Sequence, residues 1–177
     1  YRHDHPVIHG VDLECPAGSE LEGEPPLVDG YVDSYNGGCN SDPVVFQAIT
    51  QPIFCGVGGW YQFDDSNYRD TDWFLLEIDE DGVIEVTGES EVATAMYWLS
   101  QDCEGPELLG EMILDFCEPQ TMTITGDPGS EVWFFVGALD FVPPAGFEGN
   151  EFEYILNIDY VIPVQQQSFT AIKSLFE

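Results

Sequence analysis

Basic side chains are almost absent from this sequence: Lys and Arg together number 3 against 34 Asp and Glu, for a formal net charge of −31. A field of that sign repels phosphate backbones and anionic lipid headgroups, which excludes nucleic acid as a partner. Long apolar runs are missing too. No stretch approaches the roughly 20 residues that a bilayer-spanning helix needs, so membrane insertion is not expected. The chain opens without a basic, hydrophobic leader, and Tyr1 reads as the processed end of a secreted protein. No C-x-x-C spacing argues for zinc or redox chemistry, and no N-x-[ST] sequon is present. His3, His5 and His9 are the whole histidine complement, all in an N-terminal arm, and no G-x-S-x-G sets a serine near one of them. A Ser-His-Asp hydrolase is therefore not expected, and paired carboxylates carry no glycosidase signal when acids are this common. The reading is of a chain that binds or builds and is not an enzyme.

What is present fits one domain with a real core: 177 residues, 44% apolar and 14% aromatic. Strand signals run through Val44–Thr50, Trp60–Phe63, Thr71–Ile78, Val83–Thr87, Val92–Leu99, Leu109–Phe116, Thr121–Thr125, Val132–Ala138 and Phe152–Ile162, with helical periodicity nearly absent. The last is the clearest. Phe152, Tyr154, Leu156, Ile158, Tyr160 and Ile162 alternate with Glu151, Glu153, Asn157 and Asp159, so the sequence predicts one buried and one wet face. Asp81-Gly82 reads as a tight hairpin, and Asp127-Pro128-Gly129 and Pro143-Pro144-Ala145-Gly146 as loops. Strands and turns alternating at this spacing predict an all-β fold: an antiparallel sandwich, jelly-roll or immunoglobulin-like, spanning 15–163.

Two segments fall outside that pattern, an arm over 1–14 and a tail over 164–177 that begins just after Pro163. Arg2 lies in the arm and Lys173 in the tail, so the ends are complementary in charge to an anionic body. The tail also carries Phe169, Ile172, Leu175 and Phe176, more apolar surface than a solvated terminus usually shows. These five tail residues are the candidate assembly contacts, donated to a neighbouring copy as an added strand; folding back onto the same domain is the simpler alternative.

The cysteines stand at 15, 39, 55, 103 and 117. Spacing along the chain favours Cys39 with Cys55 and Cys103 with Cys117, bridges suited to an oxidising, extracellular compartment, with Cys15 left over. So large a negative charge calls for neutralisation, and hard oxygen donors favour Ca²⁺. The richest run of donors is 64–72, where Asp64, Asp65, Asn67, Asp70 and Asp72 form the candidate metal site, the alternative being a solvated loop in which Asp70 pairs with Arg69 or caps a turn. Tyr1-Arg2-His3 would offer a copper or nickel chelate if its amine is free, with His5 and His9 to assist. Trp60, Trp98 and Trp133 are candidates for a sugar-binding platform, although strand tryptophans more often sit in the core.

The stretch Tyr35-Asn36-Gly37-Gly38-Cys39-Asn40-Ser41, followed by Cys55-Gly56 and by Tyr68-Arg69-Asp70-Thr71-Asp72-Trp73-Phe74, resembles bacterial pre-peptidase C-terminal domains of secreted proteins. The resemblance covers 15–163 and implies a jelly-roll-like sandwich in which the D-x-D-W-F element opens a core strand. It also implies an accessory, non-catalytic module, with calcium binding known in related collagen-binding modules. Together these readings predict a secreted structural subunit that self-assembles into a fibre or surface layer by exchanging a terminal arm or strand, as a homo-oligomer or homopolymer. The alternative is a cell-surface module that binds carbohydrate or protein.

Overall fold

A computed structural model describes residues 13–159, and within them the chain is an all-β sandwich of two sheets. Eleven strands follow in order: β1 Glu20–Leu21, β2 Gln47–Ala48, β3 Ile53–Phe63, β4 Ser66–Arg69, β5 Thr71–Glu77, β6 Val83–Ser90, β7 Thr94–Leu99, β8 Leu108–Leu114, β9 Gln120–Thr125, β10 Glu131–Ala138 and β11 Glu151–Asp159. The first sheet runs β1-β3-β11-β6-β9 with β4 paired on β3, and the second runs β2-β5-β10-β7-β8. The sandwich predicted from period-2 patterning is what forms. It is not wholly antiparallel, because the short edge strands β1 and β2 pair parallel to β3 and β5. The arm up to residue 12, the end of the last expected strand from Tyr160 to Ile162, and the tail with Phe169, Ile172, Lys173, Leu175 and Phe176 lie outside the described residues.

Residue parity explains the core. Phe54 and Trp60 on β3, Phe74 and Leu76 on β5, Ile84 and Val86 on β6, Val132, Phe134 and Val136 on β10, and Tyr154, Leu156 and Ile158 on β11 all occupy even positions and fill the space between the sheets. The opposite face of the second sheet carries a smaller apolar layer, in which Trp73, Leu99 and Phe135 are covered by Cys39, Phe46, Tyr97 and Trp133. Of the candidate platform tryptophans, Trp60 is buried and donates from Nε1 to the carbonyl of Asp140 at 2.8 Å, and Trp98 packs on the main core. Trp133 tilts over Phe46 with ring centroids 4.5 Å apart. The three do not share a surface.

Two strands escape the sequence pattern for physical reasons. β3 begins seven residues before the apolar run at Trp60 because Gly56, Gly58 and Gly59 occupy positions that a strand signal needs filled. Their smallness is required: Tyr154 lies opposite Gly56 and Phe152 opposite Gly58, and their rings fold over the glycines. A Cβ on Gly56 would stand 2.1 Å from Tyr154 Cζ. Gly56→Ala is therefore expected to lower the midpoint of chemical denaturation by the equivalent of about 3 kcal/mol, the upper range for an overpacked core. β4 is the second surprise, and the run from Asp64 to Arg69 that reads as an acidic loop is instead a two-residue turn leading into a strand.

The turns also differ in role. Asp64 and Asp65, with φ of 47° and 60°, form the tip of the β3–β4 hairpin, a two-residue turn that needs left-handed conformations at both centres. Asp81-Gly82 closes no hairpin. Gly82 (φ 77°) ends a turn in which Asp79 Oδ1 accepts from the amides of Asp81 and Val83, and the chain passes from β5 in one sheet to β6 in the other. Among the described strands only β3–β4 and β7–β8 are sequence neighbours that pair, so most connections cross the sandwich.

The cysteine pairing is corrected by this topology. The bridges are Cys15–Cys55 and Cys39–Cys103, not Cys39–Cys55 and Cys103–Cys117. Cys55 sits on β3 in the first sheet, whereas Cys39 packs on the outer face of the second sheet against Trp73 and its companions, so nearness in sequence does not bring the two together. Cys103, in the β7–β8 connection of that same second sheet, reaches Cys39; Cys117, beyond the end of β8 with φ 51°, keeps its thiol. No helix among the described residues is long and apolar enough to cross a membrane.

Candidate functional site

The five proposed calcium ligands separate into two groups. Asp64 and Asp65 are exposed at the hairpin tip, and Asn67, also exposed, accepts from Gln62 Nε2 at 3.2 Å across the same hairpin. A strand rises about 3.3 Å per residue, which sets Asp65 roughly 16 Å along the chain from Asp70. No single ion is shared over that distance, and the contiguous 64–72 site does not form.

Asp70 and Asp72 do come together, with partners from a part of the chain that the strand pattern leaves unread. After β1, the segment from Glu22 to Asn36 runs beside the start of β5, and it delivers Glu22, Glu24 and Asp33 to the same place. Glu22 extends the β1 pairing, its amide donating to the carbonyl of Cys55 at 3.0 Å. Its carboxylate turns inward and accepts from the Val57 amide at 2.6 Å and from Asn36 Nδ2 at 2.7 Å. The Tyr154 hydroxyl donates to Asp72 Oδ2 at 2.8 Å, Tyr31 donates to Glu24 Oε1, and Asp33 Oδ1 accepts from the amides of Tyr35 at 2.8 Å and Asn36 at 3.2 Å. Asp72 lies inward because it shares strand parity with Phe74 and Leu76.

Several oxygens in this cluster have no protein partner. Both carboxylate oxygens of Asp70, Oδ1 of Asp72, Oδ2 of Asp33 and Oδ1 of Asn36 are buried without a hydrogen bond. Asp70 and Asp72 are 1% exposed and Glu22 is 3% exposed, so water does not screen them freely. One carboxylate oxygen each from Glu22, Glu24 and Asp72 lies within 4.8 Å of the others, and a second set of Glu24, Asp33 and Asp70 meets the same limit. Glu24 belongs to both. Beside them a cavity of about 270 Å³ is bounded by Glu22, Glu24, Val57, Tyr154 and the Cys15–Cys55 bridge.

Burial is the main cause of the electrostatic strain here. It raises the Glu22 carboxyl to about 7 and that of Glu24 to about 8, against the lowering effect of their hydrogen bonds. Asp70 and Asp72 are raised well above the ordinary carboxylate range, first by desolvation and then by the neighbouring carboxylates. No basic side chain among the described residues relieves them. Arg69 is the one Lys or Arg among the described residues, and it donates to the carbonyls of Ala138 and Leu139 while its guanidinium lies 4.7 Å above the Phe141 ring.

A second cluster decorates the projecting hairpin. Tyr61 and Tyr68 stack across β3 and β4 at 5.6 Å, with Tyr31 edge-on to Tyr61 and Phe63 edge-on to Tyr68, and both Tyr68 and Phe63 are exposed.

No family model matches the chain, and no curated protein matches it. Among solved structures, the crystal structure of PirA aligns with 62% of this chain and 95% of its own at 3% identity and a TM-score of 0.39. A likeness at that level assigns no function.

Proposed function

We propose that this protein is a secreted, non-catalytic structural subunit that joins further copies of itself through its terminal segments into an extracellular fibre or layer. The observation that carries the reading is the end strand of the second sheet. β8 pairs with β7 alone among the described strands, so its outer edge presents unpaired backbone groups, and Leu108 and Leu109 at its start are 53% and 49% exposed. A strand from another copy would satisfy those groups, and a contact of this kind that does not close on itself propagates as a filament. The tail residues Phe169, Ile172, Leu175 and Phe176 supply apolar side chains for such a strand, and Lys173 supplies charge opposite to the body. Two bridges tying distant parts of the chain suit an oxidising, extracellular setting. The resemblance to pre-peptidase C-terminal domains agrees with a module that is not an enzyme.

Light scattering and electron microscopy on the full chain and on a chain ending at residue 163 test this. The full chain is expected to form large assemblies and the truncated one folded monomers; a monodisperse full chain at high concentration would remove the subunit reading. In that event the exposed Tyr68 and Phe63 rings, with Tyr61 stacked beneath Tyr68, favour a solitary module that binds carbohydrate or protein, since such rings offer flat faces at low entropic cost.

A further inference from the structure

We propose that Glu22, Glu24, Asp33, Asp70 and Asp72 form a binding site for a divalent cation of the calcium class, at the seam between the segment after β1 and the start of β5. Clustered acids alone would not argue this. The decisive feature is that Asp70, which with Asp72 is the most buried of them, has both oxygens buried without a hydrogen bond, and that Asp72 and Asp33 each leave one oxygen in the same condition. Unpaired buried acceptors are costly, and here the nearest groups are further carboxylates, which make the cost larger. Hydrogen-bond donors do not resolve it, because Tyr154, Tyr31, Asn36 and the Val57 amide already serve other oxygens of the set. Arg69, next in sequence to Asp70, sends its charge away to the carbonyls of Ala138 and Leu139 at the end of β10. A proton taken up by one carboxyl serves a single oxygen pair, whereas one cation would satisfy several of these oxygens at once.

The donor set identifies the cation. Among the described residues every candidate ligand is an oxygen, with neither cysteine nor histidine in either group of three, which disfavours zinc and copper. Calcium binds its oxygens at about 2.3–2.6 Å, so ligands on opposite sides of the ion stand roughly 5 Å apart. The 4.8 Å limit met within each group falls inside that sphere. Calcium also takes about 6–8 ligands, and carboxylates that bind through both oxygens, the unpartnered Asn36 Oδ1 and water would complete the count. Magnesium demands a near-ideal octahedron and holds its water, which suits this crowded, mostly protein-lined seam poorly. Glu24 and Asp33 are only half-buried, and they open the site towards solvent.

The site also has a structural task. Glu22, Glu24 and Asp33 come from a segment with no regular strand beyond the two residues of β1, whereas Asp70 and Asp72 flank the first residue of β5. A shared ion would fasten that segment to the sandwich, complementing the Cys15–Cys55 bridge at its other end.

The test uses the full chain, stripped with EGTA and titrated with calcium or magnesium chloride, read by isothermal calorimetry and by thermal unfolding. A hundredfold excess of calcium over its dissociation constant is expected to raise the Tm by about 5–10 °C, with a much smaller rise from magnesium. Glu24→Gln and Asp70→Asn should each weaken calcium binding about tenfold or more. Both substitutions take one carboxyl out of a crowded acid cluster, so their cation-free Tm should equal or exceed that of the parent, which separates lost binding from lost folding. Asp64→Asn with Asp65→Asn, at the hairpin tip, should bind as the parent does. Absence of a calcium response in the parent, an equal response to magnesium, or loss of binding in the hairpin-tip variant but not in the Glu24 and Asp70 variants would each overturn the site.

Discussion

Replacing Cys39 and Cys103 together by serine should lower the unfolding free energy by about 4 kcal/mol, measured by denaturant titration against the parent chain. The bridge closes a separation of 64 residues, and cross-linking so long a loop removes much of the freedom of the unfolded chain. A native-state effect adds to this. Cys39 covers Trp73 and Phe135 on the outer face of the second sheet, in a loop whose Gly38 takes φ 53° with Trp73 directly beneath it. Without the bridge that loop loses its anchor to the β7–β8 connection, and Trp73 and its neighbours become more exposed. Tryptophan fluorescence should therefore shift to longer wavelength under native conditions, ahead of global unfolding. A variant as stable as the parent would show that packing, not the cross-link, holds this loop.

Phe134→Ala carries a comparable cost, about 3–5 kcal/mol, which for a chain of this size lowers the Tm by about 10–15 °C. Phe134 is fully buried at the centre of β10, itself flanked by β5 and β7, and it faces the core between Phe74 on one side and Trp98 on the other. Strand neighbours on both sides prevent the backbone from collapsing into the space left behind, so most of the cavity persists. The exposed Phe141 provides the contrast. Truncating it removes an exposed ring that lies beneath Arg69, and the stability change should stay near the small range typical of surface positions. Calorimetric melting of the two variants side by side checks both values.

The sheets were legible in the sequence because period 2 survives wherever one face is buried, most plainly in β11, where Phe152, Tyr154, Leu156 and Ile158 all point inward. Legibility failed where side chains are small or where an irregular segment carries the residues. The glycines of β3 erase its alternation, and their reason lies on β11, nearly a hundred residues away, where Tyr154 and Phe152 need the room. The acid cluster was half visible. Asp72 falls on the same face as Phe74 and Leu76, and a carboxylate in an otherwise apolar row is a signal that parity alone exposes. Glu22, Glu24 and Asp33 gave no comparable sign, since their segment is irregular and only the folded chain brings it beside β5. Asp64 and Asp65 misled for the opposite reason: acids suited to a left-handed two-residue turn look, in one dimension, like ligands. Cysteine spacing misled likewise, because connections that cross the sandwich put consecutive cysteines on different sheets.

The scarcity of basic residues has an outcome for proteolysis. Proteases that cut after lysine or arginine find a single such position between residues 13 and 159, Arg69, and it lies within β4 with its guanidinium occupied by the carbonyls of Ala138 and Leu139. Should that bond be cleaved, the fragments would not separate, for Cys39–Cys103 spans the cut. The two bridges also interleave, Cys39 lying between Cys15 and Cys55 in the chain, so one break anywhere from 15 to 103 leaves a single covalent molecule.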